Sequence, residues 1–354
     1  MQGRLTRVAA AIAILAVTVF AVLKLGGGDG GAPGGTTPAA SPQTSILPGS
    51  SGAASGESAA GSASDAADAS EPEEQPRAVA GVEPGAATVA TDGQGHVYAA
   101  NAKRHQLARR LSARSFVAID GETGEVLLAH KEHRRLPIAS LTKIMTGLLV
   151  SEAGDLTREV TVTPWATRVE PNRDGLIAGH EYTRRLLLYS TLLASNNDAA
   201  EALGVDLGGT AAGFYAAMNL RAEEIGLTET RYASASGLED LRNTSTALDQ
   251  AVLLREALDN PTFAKVASTW SIRIPWEPPT RAKVYQNHNK MLRSYAGTIA
   301  GKTGWTTKAK GCLAVAVERN GHRVIAVVLG ADDIWHDMPI LVDAALGRAA
   351  KQAA

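Results

Sequence analysis

From Gly26 to about Pro84 the chain consists almost entirely of Gly, Ala, Ser, Pro and Thr, broken by Glu71, Glu73 and Glu74. Such a stretch buries too little apolar area to offset the entropy lost on ordering it. It reads as a flexible tether, and the folded core has to come from the residues C-terminal to it. Of the 354 residues, this leaves one sizeable domain rather than two. The expected division is an N-terminal segment over 1–25, a mostly disordered Gly/Ala/Ser/Pro-rich tether over 26–110 and a folded domain over 111–354. The end of the tether carries weak signals. Gly95-His96-Val97-Tyr98 has the character of a short strand and Ala102 to Leu111 that of a helix, and neither is assigned.

The N-terminal segment concerns compartment. Arg4 and Arg7 precede an uncharged, mostly apolar run from Val8 to Leu23, closed by Lys24 and three glycines. This is an export signal, with its positive end retained inside and the rest of the chain outside. The run falls slightly short of the ~18–20 residues of a full span, but Lys24 can snorkel and Leu25 can extend it. No small-x-small cleavage pattern follows directly, and no cysteine is there to take a lipid. An uncleaved anchor is therefore expected, a cleaved signal peptide being the other reading.

Charge and cysteine usage exclude several classes. With 35 basic against 36 acidic residues there is no overall field to collect nucleic acid or anionic lipid. The pairs Arg109-Arg110, Arg134-Arg135 and Arg184-Arg185 read as solvated loops or helix ends. Cys312 is the only cysteine, so no internal disulfide and no cysteine-based metal site can form. The histidines show no metal-binding grouping, and neither a metal nor a cofactor is expected.

Order begins at Arg114. Ser115 to Asp120 and Glu125 to His130 flank Gly121-Glu122-Thr123-Gly124 as a β-hairpin. A helix is expected to start near Ser140, with Ile144, Met145, Leu148 and Leu149 at helical spacing. Thr183 to Ala194, Asp198 to Leu207, Thr210 to Ile225 and Thr246 to Leu258 also read as helices, the last opened by Thr246 and Asp249 as a capping box. Strands return at Leu313 to Glu318 and Arg323 to Leu329, joined through Asn320-Gly321, a strong two-residue hairpin signal. Ile334 to about Ala350 is amphipathic and would lie across the sheet. The pattern predicts an α+β domain, an antiparallel sheet built from N- and C-terminal strands with a helical cluster between them.

Three short patterns carry chemistry. Ser140-Leu141-Thr142-Lys143 sets a hydroxyl and an amine about one helical turn apart on one face. Serine becomes a nucleophile when something takes its proton, and a lysine whose pKa falls from ~10.4 toward ~7–8 can do so. Free N–H groups at the helix start can meet a developing oxyanion. Taken alone, the pattern is a surface serine and a solvated lysine, expected about once by chance in such a chain. Ser195-Asn196-Asn197 alone is an N-cap. Lys302-Thr303-Gly304 is rarer, roughly one occurrence in ten such chains, and alone is a strand entry beside a turn. Each occurs once, and their order is Ser-x-x-Lys, Ser-x-Asn, Lys-Thr-Gly.

That ordered trio resembles the penicillin-binding proteins and serine β-lactamases, and the likeness extends over Arg114 to Leu329. Arg135 to Thr146, Leu192 to Ala200, Met218-Asn219, Ser236-Gly237-Leu238, Ser245-Thr246-Ala247 and Gly301 to Thr306 are similar to the low-molecular-mass D-alanyl-D-alanine carboxypeptidases. The resemblance implies a β-lactamase/transpeptidase-like fold. It also implies that Ser140 attacks the carbonyl between two D-alanines of a peptidoglycan stem peptide while a neutral Lys143 takes its proton. Ser195 would relay that proton, Asn197 would position the substrate amide, and Lys302 and Thr303 would meet the substrate carboxylate. Gly304 and Trp305 would line the substrate, the backbone N–H groups of Ser140 and Trp305 forming the oxyanion hole. β-Lactams would be covalent inhibitors.

Two departures stand out. Where the family usually has Ala-Gly-x-Cys, this chain has Ala309-Lys310-Gly311-Cys312, so Lys310 is expected to alter the strand edge near the site. Several relatives carry an additional C-terminal β domain and amphipathic anchor that is not expected here after the last helix, which would leave anchoring to the N-terminal segment. A serine β-lactamase is the nearest alternative, but Glu239-Asp240-Leu241-Arg242-Asn243 sets its leucine one place early for a class A deacylation segment, and Asn196 stands where Asp is usual. A non-catalytic penicillin-binding sensor is disfavoured because only seven residues precede the apolar run.

Overall fold

Apolar residues that alternate sides along neighbouring strands must be covered on both faces, and this sets the architecture. The computed structural model describes residues 90–98, 107–238, 242–276 and 281–352. The Val8–Leu23 run, the tether as far as residue 89 and the first half of the expected Ala102–Leu111 helix lie outside them. Among the described residues no helix is long and apolar enough to cross a membrane.

In chain order the strands are β1 (Ala90–Thr91), β2 (Val97–Tyr98), β3 (Ser115–Asp120), β4 (Val126–His130), β5 (Leu136–Pro137), β6 (Glu159–Thr161), β7 (Glu181–Thr183), β8 (Thr244–Ser245), β9 (Ser271–Pro275), β10 (Ala282–Gln286), β11 (Thr298–Thr306), β12 (Lys310–Arg319) and β13 (His322–Ala331). The helices are α1 (Lys143–Ala153), α2 (Arg184–Leu192), α3 (Asn197–Gly208), α4 (Ala211–Glu224), α5 (Ala247–Leu258), α6 (Pro261–Ser268), α7 (Met291–Ser294) and α8 (Ile334–Gln352). Seven strands form the main sheet in the order β1-β2-β4-β3-β13-β12-β11. All neighbours are antiparallel except β2 and β4, which pair in parallel through Tyr98 and Val126. The α+β expectation holds, and the Val97–Tyr98 strand extends the sheet at its edge.

The central pairing joins the two ends of the domain, with β13 running against β3 from Val324↔Asp120 to Leu329↔Ser115. Phe116, Ala118, Val315, Val317, Val324, Ala326 and Val328 face one way and pack with Met338, Leu341, Val342 and Ala345 of α8. Val117, Ile119, Ala314, Ala316, Ile325 and Val327 face the other way, into the core shared with α1, α2, α3 and α5. Full burial of each such side chain contributes ~1.5–3 kcal/mol for the larger ones, so the sheet is held from both sides.

Local signals place the helix starts. Thr183, Thr210 and Thr246 accept backbone N–H groups of Leu186, Gly213 and Asp249 as N-caps. Only half of the expected capping box forms at α5. The Asp249 carboxylate turns instead to the Glu229 N–H and the Thr230 hydroxyl. The Asn320-Gly321 turn is as expected, with φ of 54° and 77° between the paired Arg319 and His322.

The β11–β12 connection explains the first departure from the family pattern. Lys310 pairs with Thr306 at the close of this turn and holds φ at 59°, a left-handed conformation natural to glycine. A lysine there costs about 1–2 kcal/mol relative to unstrained backbone. Part of that is offset by the smaller entropy its unfolded chain loses. Lys310→Gly is expected to raise the unfolding free energy by about 0.5–1 kcal/mol, read from denaturant midpoints at unchanged slope.

Candidate active site

Ser140 does not begin the α-helix directly. Ala139–Thr142 form one 3₁₀ turn, and α1 follows from Lys143. The turn is entered through Ala139 at φ 47°. The result meets the one-face expectation by a tighter route, because residues three apart eclipse in a 3₁₀ turn. Lys143 Nζ lies 3.1 Å from Ser140 Oγ. The amine is fully buried and also donates to Asn197 Oδ1 at 2.6 Å and to the Ser236 carbonyl at 2.7 Å.

Two glycines permit the close packing around this turn. A Cβ on Gly237, whose φ is +86°, would fall 2.0 Å from the Ala139 carbonyl oxygen. A Cβ on Gly304 would lie 3.0 Å from both the Ile138 carbonyl and the Ser140 amide nitrogen. The nucleophile turn is thus pressed between the 234–237 turn and β11. That contact brings Thr303, Gly304 and Trp305 beside Ser140 in one cleft of about 1260 Å³. Ser195, Asn197, Glu201, Tyr215 and His288 line the same cleft. Trp305 projects into it with 69% of its surface exposed.

Lys302 is likewise buried, and its Nζ donates to Ser195 Oγ and to the Thr303 carbonyl, both at 2.9 Å. Ser195 sits at φ 61°, an uncommon conformation for a non-glycine residue. Asn172 holds it there by donating to the Ala194 and Ser195 carbonyls. Asn197 was expected to face a substrate amide. Its Oδ1 is engaged by Lys143 and its Nδ2 donates to the Pro171 carbonyl, so it ties the amine to the 165–177 loop along the cleft. Asp198 fixes the same loop by accepting the N–H groups of Asp174, Gly175 and Leu176.

The electrostatics derive from burial. Loss of solvation, followed by the Lys302 charge, holds Lys143 well below the ordinary lysine pKa, with Glu201 and then Asp198 opposing. Burial alone lowers Lys302 to about 7. His288 is lowered by burial and by both lysines. The arrangement can therefore present an uncharged amine to a serine hydroxyl at neutral pH.

Glu201 and His288 were not singled out in the sequence. Glu201 follows Asn197 by four residues, and both fall on one face once the helix starts at Asn197, one residue before the expected Asp198. His288 lies in a loop with no such signal. Asn243, the end residue of the β-lactamase-like segment, braces a turn. It accepts the Ala233 and Ser234 N–H groups and donates to Ser234 Oγ. Residues 239–241 lie outside the described set. Among the described residues no cluster of side chains could hold a metal ion.

A serine hydroxyl beside a buried amine, at the mouth of a cleft between an antiparallel sheet and a helical cluster, defines a serine acyl-transfer enzyme of the penicillin-binding type. Residues 100–333 match the family model described as D-alanyl-D-alanine carboxypeptidase, and the chain belongs to that family. It is 33% identical over 224 residues to D-alanyl-D-alanine carboxypeptidase DacF of Bacillus subtilis, covering 62% of this chain and 57% of that one. Identity to D-alanyl-D-alanine carboxypeptidase DacB2 of Mycobacterium tuberculosis is 32% over 239 residues, 65% of this chain and 81% of the other. The Streptomyces K15 DD-transpeptidase crystal structure superposes with a TM-score of 0.63 at 30% identity, over 67% of this chain and 98% of that one.

The lowered lysine has a consequence for stability. Unfolded Lys302 titrates near the ordinary value of 10.5, whereas folded Lys302 titrates at about 7. Below pH 7 both states bind the proton, and the folded state bears the full cost of a buried ammonium. Between pH 7 and 10.5 the unfolded state binds more protons, so this contribution to stability rises with pH. Lys302→Met is therefore expected to gain in melting temperature over the parent most at pH 6.5, and least at pH 9.5. A difference that does not narrow with rising pH would contradict this origin.

Proposed function

We propose that the chain removes the terminal D-alanine from peptidoglycan stem peptides by acyl transfer to Ser140. The observation that carries this reading is the fully buried Lys143 amine, 3.1 Å from Ser140 Oγ. As the hydroxyl oxygen attacks the carbonyl carbon between the two D-alanines, its proton passes to the neutral Nζ. The carbonyl oxygen takes up negative charge between the backbone N–H groups of Ser140 and Trp305. Collapse breaks the C–N bond, and the proton reaches the departing amine by way of Ser195. Water then attacks the ester, giving its proton back through the same amine, and the shortened peptide leaves.

Lys302 and Thr303 receive the substrate carboxylate, with Gly304 and Trp305 forming the adjoining wall. A carboxylate beside Lys302 favours its charged form, so the positive charge is completed by the substrate itself. Asn197 acts chiefly by holding Lys143. A β-lactam presents a carbonyl and a carboxylate to the same groups, and its opening leaves an ester on Ser140.

We further assign residues 1–25 to an export signal that stays as a membrane anchor and the Gly/Ala/Ser/Pro-rich stretch up to residue 89 to the tether, with the catalytic domain beginning at β1, placing catalysis outside the cytoplasmic membrane. The support is the charge and hydropathy pattern of the sequence. The full chain is expected in the membrane fraction, and a version lacking residues 1–25 is not. Recovery of the mature chain as a soluble protein cut after Leu25 would favour a cleaved signal instead.

Ser140→Ala is expected to abolish both D-alanine release from a pentapeptide and covalent labelling by fluorescent penicillin. Persistent labelling would refute the nucleophile. Lys143→Met should be inactive yet about as stable as the parent, since it removes a buried group that prefers to be protonated in water. Incubation with a pentapeptide and a cross-linked dimer, with products weighed by mass spectrometry, should give D-alanine release as the faster reaction.

A further inference from the structure

The acyl-transfer steps leave one buried charge in the cleft without a role. Glu201 lies one turn beyond Asn197 on α3 and is 1% exposed. Its Oε1 accepts the backbone N–H groups of Ala235 and Ser236 at 3.1 Å each and the Ser236 hydroxyl at 2.8 Å. Its Oε2 accepts the Tyr215 hydroxyl at 2.8 Å. Three donors fill Oε1 and one meets Oε2, so both oxygens are engaged by the protein and the carboxylate is held in a fixed orientation against the turn. The residue that Glu201 grips is also the one that receives the amine, because Ser236 presents its carbonyl to Lys143 Nζ.

We propose that Glu201 is a positioning residue for acyl transfer: it clamps the Ala235–Ser236 turn so that the Ser236 carbonyl meets Lys143, and its negative charge across that turn sets the proton affinity of the amine. This rests on Lys143 being the base. The charged groups that face Lys143 are Lys302 on β11, Glu201 and Asp198 on α3, and His288 before α7. Lys302 and burial drive the amine toward neutrality, and Glu201 is the larger of the two opposing acids. Asp198 is spent on the 174–176 backbone, whereas Glu201 is joined to the amine through a single residue.

The test is the pH dependence of acylation by fluorescent penicillin from pH 5.5 to 9.5, on the full chain. In the parent the rate falls on the acid side as Lys143 takes up a proton. Glu201→Gln keeps an acceptor oxygen for the Ala235 and Ser236 N–H groups but removes the charge. Its acid limb is expected to move down by about one pH unit, a roughly tenfold relative gain on the steep part of that limb. A profile that is lower at every pH but superimposable in shape would overturn the charge role. If Glu201→Gln does not fold, Tyr215→Phe carries the test. It spares the three bonds to the turn and removes a donor that favours the charged carboxylate, which burial already disfavours, so the limb is expected to move to lower pH as in Glu201→Gln but by less. An unmoved limb there overturns the inference. Lys143→Met separates this failure from failure of the underlying reading, since a variant that still acylates with the parent's profile shows that Lys143 is not the base.

Discussion

The structure depends on the burial of two lysines in one cleft. An amine removed from water loses the solvation that keeps it charged, and a second amine nearby disfavours charge further. Lys302 meets the first condition and Lys143 both, and the surrounding structure supplies their hydrogen bonds: Asn197, Ser236 and Ser140 for Lys143, Ser195 and the Thr303 carbonyl for Lys302. Such an arrangement costs folding free energy at neutral pH. The cost is borne by a core with apolar side chains packed against both faces of a seven-stranded sheet.

That core also explains the precision of the site. The nucleophile turn belongs to the start of α1, Ser195 and Asn197 to the junction of α2 and α3, and Lys302 to β11. These lie far apart in the chain and meet only because β11 forms the edge of the sheet beside the helical cluster. The approach is close enough to require glycine at positions 237 and 304. Left-handed backbone at Ala139 and Ser195 adds strain at the two hydroxyl-bearing turns, and hydrogen bonds from Asn172 hold the second in place.

The acids of α3 complete the balance. Asp198 organises the 174–176 backbone and Glu201 organises the 235–236 backbone, so neighbouring residues of one helix fix two walls of the cleft. Both also oppose the loss of charge on Lys143. The two carboxylates thus return part of the proton affinity that burial and Lys302 take from the amine.

Much of this was legible in the sequence. Apolar alternation and the Asn320-Gly321 turn define β12 and β13, threonine caps mark three helices, and the ordered Ser-x-x-Lys, Ser-x-Asn and Lys-Thr-Gly patterns name Ser140, Lys143, Ser195, Asn197 and Lys302. These are local properties, written in spacing and side-chain type. The tertiary structure decided what spacing cannot express. It set Ser140 in a 3₁₀ turn rather than in the helix, engaged Asn197 with Lys143 and Pro171, drew Asp249 away from its cap, and brought Glu201 behind the Ser236 turn. Each outcome depends on which distant backbone group competes for the same hydrogen bond or occupies the same space. That competition is settled only when the sheet and the helical cluster close on one another.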